Sequence, residues 1–209
     1  PVLATCLAAS AFVAASLEAT PAHACGGLFC NSAQPVNQAA ERILFIQNAD
    51  IGNGVKPPIA AMVELAREHP NAGYFKEEIA PAIPRMQELC RHRPAVVKRV
   101  FAGGGGRSLM YEMRLGFDGT MPAAQFSDIY AQIWSHYQEG RQERARDLFS
   151  KLLLMLNIEQ QIPGARQYVM KKRGVFKTAV SRQGDAQLAP DAVREIDFHL
   201  EALKPFFRA

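Results

Sequence analysis

Ala72-Gly73-Tyr74-Phe75-Lys76-Glu77-Glu78 is the stretch on which the fold turns. A short apolar run ends in a lysine, passes two carboxylates, and leads into a proline-marked helix start near Pro81. An amine at the end of a buried strand can attack a carbonyl, provided its surroundings keep part of it neutral. A strand-end lysine is also a common solvated surface group, so the residue alone decides nothing. Two further apolar runs follow: Val100-Phe101-Ala102-Gly103-Gly104-Gly105-Gly106-Arg107 and Leu115-Gly116-Phe117-Asp118-Gly119-Thr120-Met121-Pro122. The pattern predicts strands over 72–76, 97–102 and 117–121, with helices over 57–69, 81–93 and 107–115. Strands separated by helices of this length indicate βαβ units and a parallel sheet. The runs are near-continuously apolar, as expected when both faces of the sheet are covered.

Beyond Pro122 the chain reads as helical. Phe126, Ile129, Tyr130, Ile133, Trp134 and Tyr137 recur three and four apart, as do Ala145, Leu148, Phe149, Leu152, Leu153 and Leu156. A third stripe runs through Val193, Ile196, Leu200, Leu203 and Phe207. Packing is the expected use of such stripes. Gly140, Pro163-Gly164 and Gln183-Gly184-Asp185 mark the breaks.

The beginning of the chain has another character. Residues 1–24 form a signal-like apolar segment, uncharged from Val2 to Leu17 and ending in Ala22-His23-Ala24 before Cys25. Its apolar run is shorter than the roughly twenty residues of a membrane span. Export signal and a buried or disordered helix are the two readings, the former preferred, and no stable membrane span is expected. Residues 25–54 form a short second segment with a strand over 42–47 and a turn over 50–54. Cys25 and Cys30 stand close enough to close a small disulfide loop in an oxidising compartment. Their spacing is not that of a thioredoxin-like redox pair.

Composition restricts the remaining classes. With 209 residues, 48% hydrophobic, 21% charged and a net charge of +4, the chain is long enough for a full core and only mildly basic. Its tight basic clusters, Arg91-His92-Arg93 and Lys171-Lys172-Arg173, read as solvated helix ends, so no nucleic-acid partner is expected. Cys90 lies on a predicted helix and reads as a small buried hydrophobe. Cys90 and His92 lack a second ligand pair at zinc-site spacing, so no metal is expected. The glycine run 103–106 has no following Lys-Ser or Lys-Thr and is not a P-loop.

The ordered set Tyr74-Phe75-Lys76-Glu77-Glu78, Val100-Phe101-Ala102-Gly103-Gly104 and Gly116-Phe117-Asp118-Gly119-Thr120-Met121-Pro122, from about Val55 onward, resembles the dihydrodipicolinate synthase and N-acetylneuraminate lyase family. Ahead of it, Cys25-Gly26-Gly27-Leu28-Phe29-Cys30 resembles the start of a secreted bacterial family of unknown function. The first resemblance implies an α/β fold: the C-terminal part of a TIM (β/α)₈ barrel, about three parallel strands over 55–209, followed by a helical bundle. It implies that Lys76 is a Schiff-base lysine that traps pyruvate or another 2-keto acid, with no cofactor. Gly103, ending one strand, lets substrate approach the backbone, and Met121, ending the next, turns its carbonyl to the site. Glu77 and Glu78 would oppose a lowered amine pKa if they faced it, so both are expected to point elsewhere. The resemblance further implies a homo-oligomer and a cytoplasmic enzyme, whereas the leader implies export.

The family's first five βα units, with their carboxylate-binding turn and proton-relaying tyrosine, have no counterpart in these residues. Three strands cannot close such a barrel. The expected function is therefore a Schiff-base lyase or hydro-lyase, impaired by the missing half. The alternative is a non-catalytic exported or fused fragment acting as an interaction protein.

Overall fold

Four short strands lie side by side in chain order, all parallel: β1 (Phe45–Asn48), β2 (Tyr74–Glu77), β3 (Arg99–Ala102) and β4 (Gly119–Thr120). They belong to a computed structural model that describes residues 44–49, 56–181, 184–185 and 187–208. The leader, the Cys25–Cys30 pair and the turn over 50–54 lie outside the described residues. Among the described residues no helix is long and apolar enough to cross a membrane.

Helices α1 (Ile59–Glu68), α2 (Ala82–Cys90) and α3 (Leu109–Arg114) alternate with the strands. The βαβ pattern expected from the sequence is present, with each strand trimmed by one to three residues. The sheet is wider than expected. Three strands were predicted from residue 55 onward, and the strand over 42–47 was set apart in the preceding segment. Instead, residues 45–48 pair in register with β2, Phe45 opposite Tyr74 and Gln47 opposite Lys76. Phe45 sits 5.4 Å from the Tyr74 ring and 5.6 Å from that of Phe101, and Asn48 Nδ2 donates to Glu77 at 2.9 Å. These cross-strand contacts explain the placement, and they come from partners about thirty residues away or more that local pattern cannot reveal.

In-register pairing sorts the sheet into two faces, since residues alternate sides along each strand. Phe75 of β2 and Val100 and Ala102 of β3 face outward. There they pack with Met62, Val63 and Ala66 of α1 and Met86 and Leu89 of α2. The opposite face carries Phe45, Gln47, Tyr74, Lys76 and Phe101. Phe45 is half-exposed there, at 47%.

Downstream, α4 (Ser127–Gln138), α5 (Gln142–Gln161) and α7 (Pro190–Leu203) realise the three apolar stripes, and α6 (Ala165–Lys172) lies between the last two in the chain. Ile129 and Ile133, Leu152 and Met155, and Ile196 and Leu200 are buried together in one cluster that also takes in Leu109 and Met113 of α3. A two-stranded antiparallel hairpin, β5 (Val180–Ser181) and β6 (Gly184–Asp185), interrupts the helices where only a break was predicted.

Candidate active site

The site is assembled at the C-terminal ends of the parallel strands, the edge where α/β sheets gather their ligand-binding loops. Lys76 is the third residue of β2, and its side chain is 16% exposed. Its Nζ lies 2.6 Å from Glu78 Oε1. The same oxygen accepts a hydrogen bond from Gln47 Nε2 at 3.2 Å, so one carboxylate joins β1 and β2 above the inner face.

The two glutamates after Lys76 part company, which corrects the expectation that both turn away. Glu77 does point outward. It is fully buried; its carboxylate accepts hydrogen bonds from Asn48 Nδ2 at 2.9 Å and the Ile79 N–H at 2.7 Å and forms an ion pair with Arg85, whose Nε lies 3.1 Å away. These partners compensate its burial. Glu78 instead folds back over the amine. β2 ends at Glu77, the Glu78 N–H donates to Asn48 O at 2.8 Å, and the turn returns the next side chain to the Lys76 side. A residue two after Lys76 shares its face by alternation; that spacing was the available signal.

Gly103 makes the arrangement possible. A Cβ there would lie 1.7 Å from Glu78 Cγ, so Glu78 fills the space a side chain would need. The resemblance implied an opening for substrate at this glycine; in the described state the carboxylate lies over it. Met121 follows β4 and is half-buried, its N–H donating to Ala102 O at 2.9 Å. Lys76 and Gly103 thus meet through Glu78, while Met121 is held on the neighbouring strand end.

The loop after β3 is braced from the helices. Gly104, Gly105 and Gly106 all have positive φ, 62°, 71° and 68°. The Tyr130 hydroxyl of α4 donates to Gly105 O. Arg107 donates to Gly104 O at 3.0 Å and to Leu156 O of α5 at 2.9 Å. Burial pushes the Tyr130 phenol well above its ordinary pKa, so it remains a donor to that carbonyl.

Two features escaped the sequence reading. One is the Glu78 contact. The other is Glu112 of α3, 5% exposed, whose carboxyl has no partner among the described residues and is pushed up to about 7 by burial. Its signal, a carboxyl on an otherwise apolar helix face, was present in Leu109-Met110-Tyr111-Glu112-Met113. Cys90 is half-buried against the outer-face cluster, and burial raises its thiol pKa.

No protein-family model matches the chain. A curated relative, L-2-keto-3-deoxyarabonate dehydratase of Azospirillum brasilense, is 26% identical over 164 residues, 77% of this chain and 52% of the relative. Among solved structures, dihydrodipicolinate synthase of Rhodopseudomonas palustris superposes with a TM-score of 0.64 at 23% identity, covering 75% of this chain and 54% of that one. N-acetylneuraminate lyase of Fusobacterium nucleatum gives 0.61 at 18% identity, covering 79% and 55%. The chain therefore spans about half the length of the proteins it matches. Over that span it has the fold of the C-terminal part of their barrel and resembles the dihydrodipicolinate synthase and N-acetylneuraminate lyase family.

Proposed function

We propose that Lys76 forms an imine with pyruvate or a related 2-keto acid and that the chain carries the lysine-bearing half of a Schiff-base lyase or hydro-lyase. The observation that carries the reading is the pairing of the Lys76 amine with Glu78 at 2.6 Å, on the strand-end edge of a parallel sheet. Neutral amine attacks the ketone carbon to give a carbinolamine, which loses water to become the imine. Glu78 accepts the ammonium proton and can return it to the departing hydroxyl. The imine then acts as an electron sink for the adjacent carbon: either that carbon loses a proton to give an enamine, which expels a β-hydroxyl as water, or its bond to the next carbon breaks, the pair staying in the enamine while the departing fragment's hydroxyl loses its proton and becomes a carbonyl. With a substrate in place, Glu78 moves off Gly103, whose bare backbone admits the keto acid, and the Met121 carbonyl bounds the far side.

Pyruvate methyl exchange in D₂O tests the reading without naming the physiological substrate. Enamine formation washes deuterium into the methyl group, followed by proton NMR. The full chain is expected to exchange it. Lys76→Arg is expected to abolish the exchange, and Glu78→Gln to slow it by about a hundredfold, the usual scale of a lost general acid-base. Exchange that persists in Lys76→Arg would remove the lysine from the chemistry.

A second reading, an interaction protein without catalysis, is favoured by one observation. Phe45 leaves an apolar surface half-open on the β1 side of the inner face. Under that reading this surface joins copies of the chain. Light scattering would then show a defined oligomer that Phe45→Glu disperses, with no exchange in D₂O.

A further inference from the structure

The parallel sheet is covered unequally on its two faces. On the outer face Phe75, Val100 and Ala102 are buried against α1 and α2. On the inner face Phe45 and Gln47 are exposed, and Tyr74 and Phe101 are only half-buried. The three aromatic rings there meet one another, Phe45 lying against both Tyr74 and Phe101. Parallel sheets are ordinarily buried on both faces, so an open face of this kind calls for a cover.

The edges call for one too. In the order β1-β2-β3-β4, both β2 and β3 have a strand on either side. Among the described residues β1 pairs only with β2, and β4 only with β3. An edge strand presents a row of N–H and C=O groups able to pair with a further strand. A helix laid across the inner face would bury the rings and leave both edges bare. A single added strand would satisfy one edge and leave the other.

A second parallel sheet meets all three demands, provided it offers one edge of each kind. A second copy of this chain does so: its β4 stands ready for β1, and its β1 for β4. A two-fold axis running along the strands brings both joints together at once and keeps every strand parallel, the self-complementary arrangement of an isologous pair. Four strands and four make eight, the number at which a barrel interior is just filled by side chains. The chain already has the fold of the C-terminal part of such a barrel.

We infer that two copies of this chain join edge to edge into one closed eight-stranded barrel, β1 of each beside β4 of the other, with Phe45, Tyr74 and Phe101 of both turned into its interior. Closure takes no bare charge out of water, because Lys76 lies against Glu78 and Arg99 against Asp118. The sheet of one copy presents the Lys76 amine, and the sheet of the other supplies the wall across from it. An apolar contact through Phe45 alone would leave the strand edges unpaired. Closure stands on strand pairing and not on the imine, so each can fail without the other.

The experiment uses the full chain with no keto acid present. Sedimentation equilibrium is expected to show a dimer that dissociates on dilution and nothing larger, because edge pairing is exhausted at eight strands. Hydrogen exchange read by mass spectrometry over the same dilution series is expected to show protection that rises with the dimer in both edge strands, Phe45–Asn48 and Gly119–Thr120. Phe45→Glu puts an unpaired carboxylate into the closed interior and is expected to weaken association at least about tenfold. A monomer at every concentration, assemblies that grow beyond two chains, or a dimer without gained protection at both edge strands overturns the proposal. So does protection centred on Leu154 of α5 and Phe198 of α7, exposed apolar residues that offer a rival interface. Should Phe45→Glu misfold, exchange in the unaltered chain decides alone.

Discussion

Lys76 and Glu112 are opposite solutions to placing an ionisable group near a sheet edge. Lys76 keeps a carboxylate within 2.6 Å, so its charge is compensated on the spot. Glu112 has no such partner among the described residues, and its pKa rises from 4.5 to about 7 because burial penalises the charged form. The folded state therefore holds the Glu112 proton more tightly than the unfolded chain. The corresponding stability is fully present below about pH 4.5 and is lost as pH rises toward 7, with no further loss above. The shift corresponds to about 3 kcal/mol across that interval. Glu112→Gln should erase this decline, so urea unfolding of variant and parent at pH 5 and pH 8 should show a smaller pH difference in the variant. An equal difference in both would assign the decline to other groups.

At the scale of elements, the loop after β3 offers a matched pair of substitutions. Gly104 and Gly106 share positive φ, 62° and 68°, but differ in surroundings. A Cβ on Gly104 meets nothing within 4 Å, whereas one on Gly106 comes within 2.8 Å of the Tyr130 ring and 3.2 Å of Thr120. Gly104→Ala should cost about 1 kcal/mol for the left-handed backbone alone. Gly106→Ala adds the clash and should cost at least about 2 kcal/mol. Comparable losses by chemical denaturation would contradict the packing assigned to Tyr130.

Arg173 at the end of α6 provides a second element-scale test. It grips Asp128 with both terminal nitrogens, donates to Gln125 O, and lies 4.0 Å from the centre of the Phe207 ring. Burial alone would raise Asp128, but hydrogen bonds from Arg173 and the Arg208 N–H outweigh it and hold the carboxyl below its usual range. A depressed carboxylate contributes stability above its unfolded value of 3.8 that is lost as pH falls through the folded one. Arg173→Met should cost about 2 kcal/mol near neutral pH, less than a fully buried pair, and should flatten the acid limb of the stability profile. A profile unchanged below pH 4 would contradict it.

Legibility differed by element for physical reasons. The strands of Phe75 and Val100 and the helices of Leu152 and Leu200 follow from apolar period, because burial on one face or both imposes that period on the residues themselves. Phe45–Asn48 could not be placed that way. Its partner strand lies beyond a helix, and only the cross-strand contacts of Phe45 and Asn48 show which sheet it joins. The place of Lys76 near the end of β2 was legible from the apolar run before it. The Glu78 contact was not, since charge repulsion and charge pairing leave the same mark in a sequence. Glu112 was passed over because a carboxyl on a helix is ordinarily solvated.

For the molecule as a whole, the central claim is that a four-stranded parallel sheet with an amine at its edge suffices to present that amine to a keto acid. Matching proteins are about twice as long, and the chain has the fold of the C-terminal part of their barrel. Incubation with pyruvate and cyanoborohydride, followed by peptide mass spectrometry, tests this most directly. The account predicts a single stable reduced adduct on the peptide containing Lys76, reduced in Glu78→Gln and absent in Lys76→Arg. Adducts spread evenly over surface lysines, or none on Lys76, would contradict it.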